Sequence, residues 1–180
     1  MKFFAYLGFV LLLFSCGRQK DNGSDVIQTP ERSIAKKHSK TIVISKNAKK
    51  KVEDWKQYEE LSDFIQKFNS ISPNEALSNA RGLNVLVKSL NDSIKPTFIE
   101  SPAFSARVNL LFNESLRLYD MSTISSIKAD EVNIQVEKIL EAYSSMNSKI
   151  STVVQQEILN REVENSNFDK VTIPKGSVTN

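Results

Sequence analysis

"VNIQVEKILEAYSSMNSKISTV", residues 132 to 153, decides the fold. Its apolar positions Val132, Val136, Ile139, Tyr143, Met146, Ile150 and Val153 follow spacings of 4, 3, 4, 3, 4 and 3. A stripe of that period buries one face of a helix against neighbouring helices with bundle-like packing. It predicts a helix over 129–163, on the order of 50 Å long at about 1.5 Å per residue. Val154, Ile158 and Leu159 keep the far end apolar, so that end needs cover, from the first helix or from a second copy of the chain.

Working outward, three further helices are expected over 50–70, 73–95 and 102–122. The first carries Val52, Trp55, Tyr58, Leu61, Ile65 and Phe68 on one face, and the second Ala76, Ala80, Leu83, Val87, Leu90 and Ile94. The third has Phe104, Val108, Leu111 and Leu118, with Ser115 interrupting. "SPNE" supplies Ser72 as N-cap, Pro73 at the first helical position and Glu75 three residues after the cap, a capping box. Ser101-Pro102 repeats the start without the acid, and Pro96 ends the helix before it. Gly82 is the only glycine between residues 24 and 175, which leaves β-hairpins little support. Inside a helix it costs about 0.8–1 kcal/mol relative to alanine, a cost accepted or one that admits a neighbouring helix at close range. The fold class expected is all-α: a four-helix bundle-like domain with a long C-terminal helix, preceded by a disordered tether.

The apolar sets read as core. His38 is the only histidine and Cys16 the only cysteine, which excludes a haem attachment motif, a Cys/His zinc site and a paired Glu-x-x-His di-iron site. The inventory offers no Ser-His-Asp triad in the body, no GxSxG and no phosphate loop. Carboxylates cluster at Glu59, Glu60 and Asp63, at Asp130 and Glu131, and at Glu137 and Glu141, as solvated helix faces do. No enzyme activity, metal or cofactor is expected. Asn113, Glu114, Arg117 and Asp120 are spaced to interact along adjacent turns. A plain helix ion pair of about 0.2–0.5 kcal/mol explains them, and a partly buried polar network of Glu114, Arg117 and Asp120 is the alternative.

The N-terminus carries the address. Met1-Lys2 is followed by the apolar run Phe3 to Phe14, which is shorter than the roughly 20 residues of a transmembrane helix and suits a secretory leader. It ends in Leu13-Phe14-Ser15-Cys16, which resembles the lipobox of bacterial lipoproteins, with Phe14 bulkier than usual. The resemblance implies cleavage between Ser15 and Cys16 and acylation of the Cys16 thiol. One buried acyl chain holds a protein only marginally, whereas two or three hold it firmly. Gly17 after the cysteine implies the outer membrane under the Gram-negative sorting rule, with Lys20-Asp21 a partial match to surface-export signals.

Charge divides the chain. Residues 17–52 hold ten Lys or Arg against three Asp or Glu, and residues 53–180 hold thirteen against eighteen. The basic stretch reads as a solvated tether, either an incidental linker or one drawn to anionic headgroups. "TIVIS", residues 41–45, is its only apolar patch, a short strand or the lead-in to the first helix. Nucleic acid is not an expected partner, since the basic residues lack interleaved aromatics and the body is acidic.

Taken together, "SPNEALSNARGL", "LNDSIKP", "PAFSARVNLLFNESLRLYDMSTI" and "MNSKI", within Trp55 to Leu159, resemble small helical Bacteroidetes lipoproteins of unknown function, sometimes labelled viral A-type inclusion protein. Asp92-Ser93-Ile94 also resembles the O-glycosylation site of that phylum. The organisation expected is a leader over 1–15, a lipidated basic tether over 16–50, a helical bundle over 51–163 and a disordered tail over 164–180. The function expected is binding or scaffolding at the envelope by a lipid-anchored protein, with membrane lipid, an envelope protein or a second copy as partner. A carrier or chaperone for apolar envelope cargo is the alternative.

Overall fold

In the computed structural model, residues 30–171 are described. Ser15 and Cys16, and with them the leader and lipidation expectations, lie outside the described residues, as do residues 172–180. The fold is all-α, with five α-helices among the described residues: α1 (Lys46–Lys51), α2 (Lys56–Ile65), α3 (Pro73–Asp92), α4 (Pro102–Met121) and α5 (Ala129–Val171). Lys36–Lys37 (β1) and Ser70–Ile71 (β2) form a two-residue antiparallel ladder.

The core is one cluster. The long helices α3, α4 and α5 pack on one another, α2 packs on α3, and α1 packs on α5. Leu61, Ile65, Leu83, Val87, Phe104, Leu111, Val136 and Ile139 are fully enclosed. The caps form as their chemistry dictates. Ser72 Oγ accepts from the Glu75 N–H at 3.3 Å while the Glu75 carboxylate accepts from the Ser72 N–H at 2.9 Å. Ser101 Oγ caps α4 by accepting from Phe104 N–H. Ser115 does not interrupt the α4 face. It is fully buried, donates to the Phe112 carbonyl and accepts from Asn84 Nδ2, so its hydroxyl is satisfied inside the core.

Four boundaries differ from expectation. The first helix breaks at residues 52–55, where Val52 and Trp55 are both buried (3% and 4% exposed), and the break lets α1 pack on α5 while α2 packs on α3. The second ends at Asp92. Ser93 is extended and held by Trp55 Nε1, and residues just ahead of Pro96 are disfavoured in the helix. Ile94, expected on the buried face, is therefore 96% exposed. The last helix runs on to Val171, through the first part of the expected tail. Its stripe holds through Ile150, after which Val154 is buried and Val153 only half-buried. A straight helix drifts about 20° per heptad, so three heptads beyond Val132 the facing position has moved on by one residue.

The fourth difference is the largest. Residues 30–50, assigned by composition to the tether, belong to the fold: 30–33 pack on α3, β1 pairs with β2, and 38–51 lie along the long helix. His38 and Ala48 are buried, and the N–H of His38 donates to the carbonyl of Asn69 at 2.9 Å. The end of the long helix is covered not by the expected first helix over 50–70 but by α1, which falls almost wholly in the stretch expected to be tether: α1 lies against it, Val154 is buried, and Lys51 Nζ pairs with Glu157 at 2.9 Å. Beyond that, Leu159 and Val163 are exposed.

Candidate functional site

The strap of residues 38–45 runs parallel to α5, and its hydrogen bonds climb both segments together. The Ser39 N–H donates to Glu137 Oε2 at 3.2 Å, the Ile42 N–H to Ser144 Oγ at 3.0 Å, and the Ser45 N–H to Ser151 Oγ at 3.0 Å. Three residues advance on the strap for every seven on the helix. Three residues of extended chain cover about 9–10 Å and seven of helix about 10.5 Å, so the two repeats stay in register. The same three-residue period turns His38, Thr41 and Ile44 inward, to the buried or half-buried side.

Asn147 locks the middle of this arrangement. Its Nδ2 donates to the Ile42 carbonyl at 2.7 Å, and its Oδ1 accepts from the Tyr58 hydroxyl at 3.0 Å. Burial, and then the adjacent Tyr143 hydroxyl, pushes the Tyr58 phenol above its ordinary range, so it stays protonated and donates. At the strap's start His38 Nδ1 lies 2.9 Å from Glu137 Oε1, with the imidazole enclosed. His38 Nε2 is buried without a hydrogen-bond partner among the described residues. Burial alone would raise the Glu137 carboxyl, but hydrogen bonds from Ser39 and His38 outweigh it and hold the group below the usual carboxylate range.

Between the strap and α2 lies an open cavity of about 540 Å³. Ile42, Val43, Ile44 and Val52 supply its apolar surface, and Tyr58, Tyr143 and Asn147 also line it. Lys46, Lys49 and Lys50 of α1 border it, with Glu59 and Asp63 of α2 and Gln66 just beyond α2 also in its lining. A second hollow of about 430 Å³ adjoins it, sharing Thr41, Val43 and Gln66 and adding Lys37 and Lys40. The result is an amphiphilic trough along the strap, with Val43 at its centre and 75% exposed.

The sequence-derived network of Glu114, Arg117 and Asp120 is only partly assembled. Glu114 is half-buried, and both its carbonyl and its carboxylate accept from Gln135 Nε2 of α5, at 2.9 and 2.7 Å. Arg117 and Asp120 are exposed, and neither forms an ion pair among the described residues. The register-setting contact thus runs between helices, through a glutamine, because Arg117 and Asp120 project from the solvent side of α4. Ser93 Oγ is engaged twice, accepting from Trp55 Nε1 at 2.9 Å and donating to the Leu90 carbonyl at 2.8 Å.

Sequence reasoning missed Gln135, His38 and Glu137, the last having been assigned to a solvated face. One signal was present: Glu137, Ser144 and Ser151 recur at strict seven-residue intervals beside the apolar stripe. Among the described residues, no group of three or more His, Cys, Asp and Glu is placed to hold a metal ion, and no helix is long and apolar enough to cross a membrane. No protein-family model, curated protein or solved structure matches the chain.

Proposed function

We propose that this protein is an envelope lipoprotein, fastened to a membrane leaflet through acylated Cys16, whose helical domain binds or scaffolds a partner. The observation that carries the reading is the placement of the only cysteine directly after Leu13-Phe14-Ser15, at the end of an apolar leader. A lone thiol makes no intramolecular disulfide, and the pattern around it is that of an acylation site. The likeness to small Bacteroidetes lipoproteins supports the same address, with the outer membrane as the expected leaflet. Mass spectrometry of the native N-terminus tests it: a diacylated or triacylated Cys16 is expected, and Cys16→Ala should move the protein out of the membrane fraction. An unmodified thiol in the mature protein overturns the reading. Crosslinking and pull-down from intact cells, wild type against Cys16→Ala, then identifies partners that depend on the anchor.

The trough favours a second reading, a carrier for apolar cargo. At about 540 Å³ the larger hollow is within the usual range of small-molecule sites, roughly 300–1,000 Å³, and Ile42, Val43, Ile44 and Val52 give it an aliphatic patch. Copurification of lipid with the protein, lost on Val43→Asp, would support it. Absence of bound lipid and of hydrophobic-dye binding would remove it.

A further inference from the structure

The strap's three-residue period has an outward phase that the fold does not use. His38, Thr41 and Ile44 turn inward, and Ser39, Ile42 and Ser45 give their N–H groups to α5. The remaining positions are Lys37, Lys40 and Val43, and the same spacing continues into α1 with Lys46 and Lys49. All five are exposed. All five also line the two adjoining hollows, which meet at Val43, so they share one surface and are not scattered around the molecule. No acidic residue lies between Glu31 and Glu53. The carboxylates of the trough, Glu53, Glu59 and Asp63, follow the strap and α1 in the chain, two of them on α2 across the larger hollow.

We propose that the row Lys37, Lys40, Lys46 and Lys49, centred on Val43, docks the domain against a leaflet of anionic phospholipid headgroups. Exposed ammonium groups that recur along one surface are attracted to a negatively charged one within a Debye length, about 8–10 Å. An exposed valine among them adds apolar area that a headgroup boundary accepts and bulk water does not. Chain length agrees. Pro30 follows Cys16 by fourteen residues, at most about 50 Å of extended chain, so an anchor at Cys16 keeps the lysine row within reach of its own leaflet. This reach rests on the Cys16 reading, whereas the lysine row itself does not.

The test uses the full lipoprotein in vesicles of phosphatidylcholine alone and of equal parts phosphatidylcholine and phosphatidylglycerol. Lysines are labelled with an amine-reactive reagent and read by mass spectrometry. With phosphatidylglycerol, Lys37, Lys40, Lys46 and Lys49 should label at least about five-fold more slowly, the factor expected for one lysine at a charged surface, while Lys88 and Lys138 keep their rates. High salt should abolish the protection. Lys40→Gln with Lys46→Gln changes two exposed side chains outside the core and removes two lysines' share of the surface attraction, roughly thirty-fold in affinity, so Lys37 and Lys49 should return close to their rates with phosphatidylcholine alone. Equal labelling in the two vesicle types overturns the proposal, as does protection by a soluble acidic polypeptide but not by phosphatidylglycerol. Failure of the anchor shows separately, as protein that does not float with neutral vesicles.

Discussion

His38 Nδ1 lies 2.9 Å from Glu137 Oε1 across 99 residues of sequence, and the other Glu137 oxygen receives the N–H of Ser39. One carboxylate thus holds both the side chain and the backbone at the start of the strap. The imidazole is enclosed, while the carboxylate keeps 31% of its side-chain exposure.

The Glu137 carboxyl is held below its ordinary value in the folded chain, so it binds a proton less readily there than when unfolded. Its contribution to stability is present above the unfolded carboxylate pKa, about 4.3, and is lost as pH falls through the lower folded value. The urea midpoint of wild type should exceed that of Glu137→Gln by a constant margin near neutrality, and the two should converge below about pH 4. A margin that widens on acidification would refute the assignment.

Asn147 is 2% exposed and satisfies two partners on different elements, the Ile42 carbonyl and the Tyr58 hydroxyl. Asn147→Ala leaves both without it and should cost about 2–3 kcal/mol in urea denaturation. Tyr58→Phe removes one of those bonds and keeps the ring, so about 1 kcal/mol is expected. Amide exchange at Ile42 should accelerate more in the first variant than in the second.

A Cβ added at Gly82 would meet Phe64 Cζ at 3.2 Å, a tight contact with the far end of a half-buried ring. Alanine there gains about 0.8–1 kcal/mol of helix propensity and loses part of it in moving Phe64. Gly82→Ala should therefore stabilise by about 0.5 kcal/mol, and the full gain of about 1 kcal/mol should appear in a Phe64→Ala background. Additive effects in the double variant would show that the contact carries no energy.

Ser93 closes α3 by accepting from Trp55 Nε1 and donating to the Leu90 carbonyl. Ser93→Ala should lower stability by about 1–2 kcal/mol and leave the indole N–H without its partner, which a shift of the Trp55 fluorescence would report. Unchanged stability and emission would count against that contact.

Helix positions were legible because capping and periodicity act locally. Ser72, Glu75 and Ser101 announce their turns within four residues, and the 132–150 stripe needs only its own period to specify a buried face. The break at 52–55 was not legible, since Val52 and Trp55 fit a continuous helical stripe. What parts them is that α1 packs on α5 whereas α2 packs on α3. The site was still less visible. Glu114 reads as a partner for Arg117 three residues away, yet Gln135, distant in sequence, takes its place.

The amino-acid sequence by itself determined an all-α chain, a long C-terminal helix, a basic segment ahead of an acidic body and a single cysteine just after an apolar run. Each is a property of composition or of neighbours within one or two turns. Tertiary structure alone decided that residues 30–50 belong to the fold. A segment too polar to bury itself still folds when a preformed helix offers acceptors at 137, 144 and 151, because each strap N–H then exchanges water for a fixed partner at matched spacing. That match between a three-residue and a seven-residue repeat exists only once the two segments lie side by side.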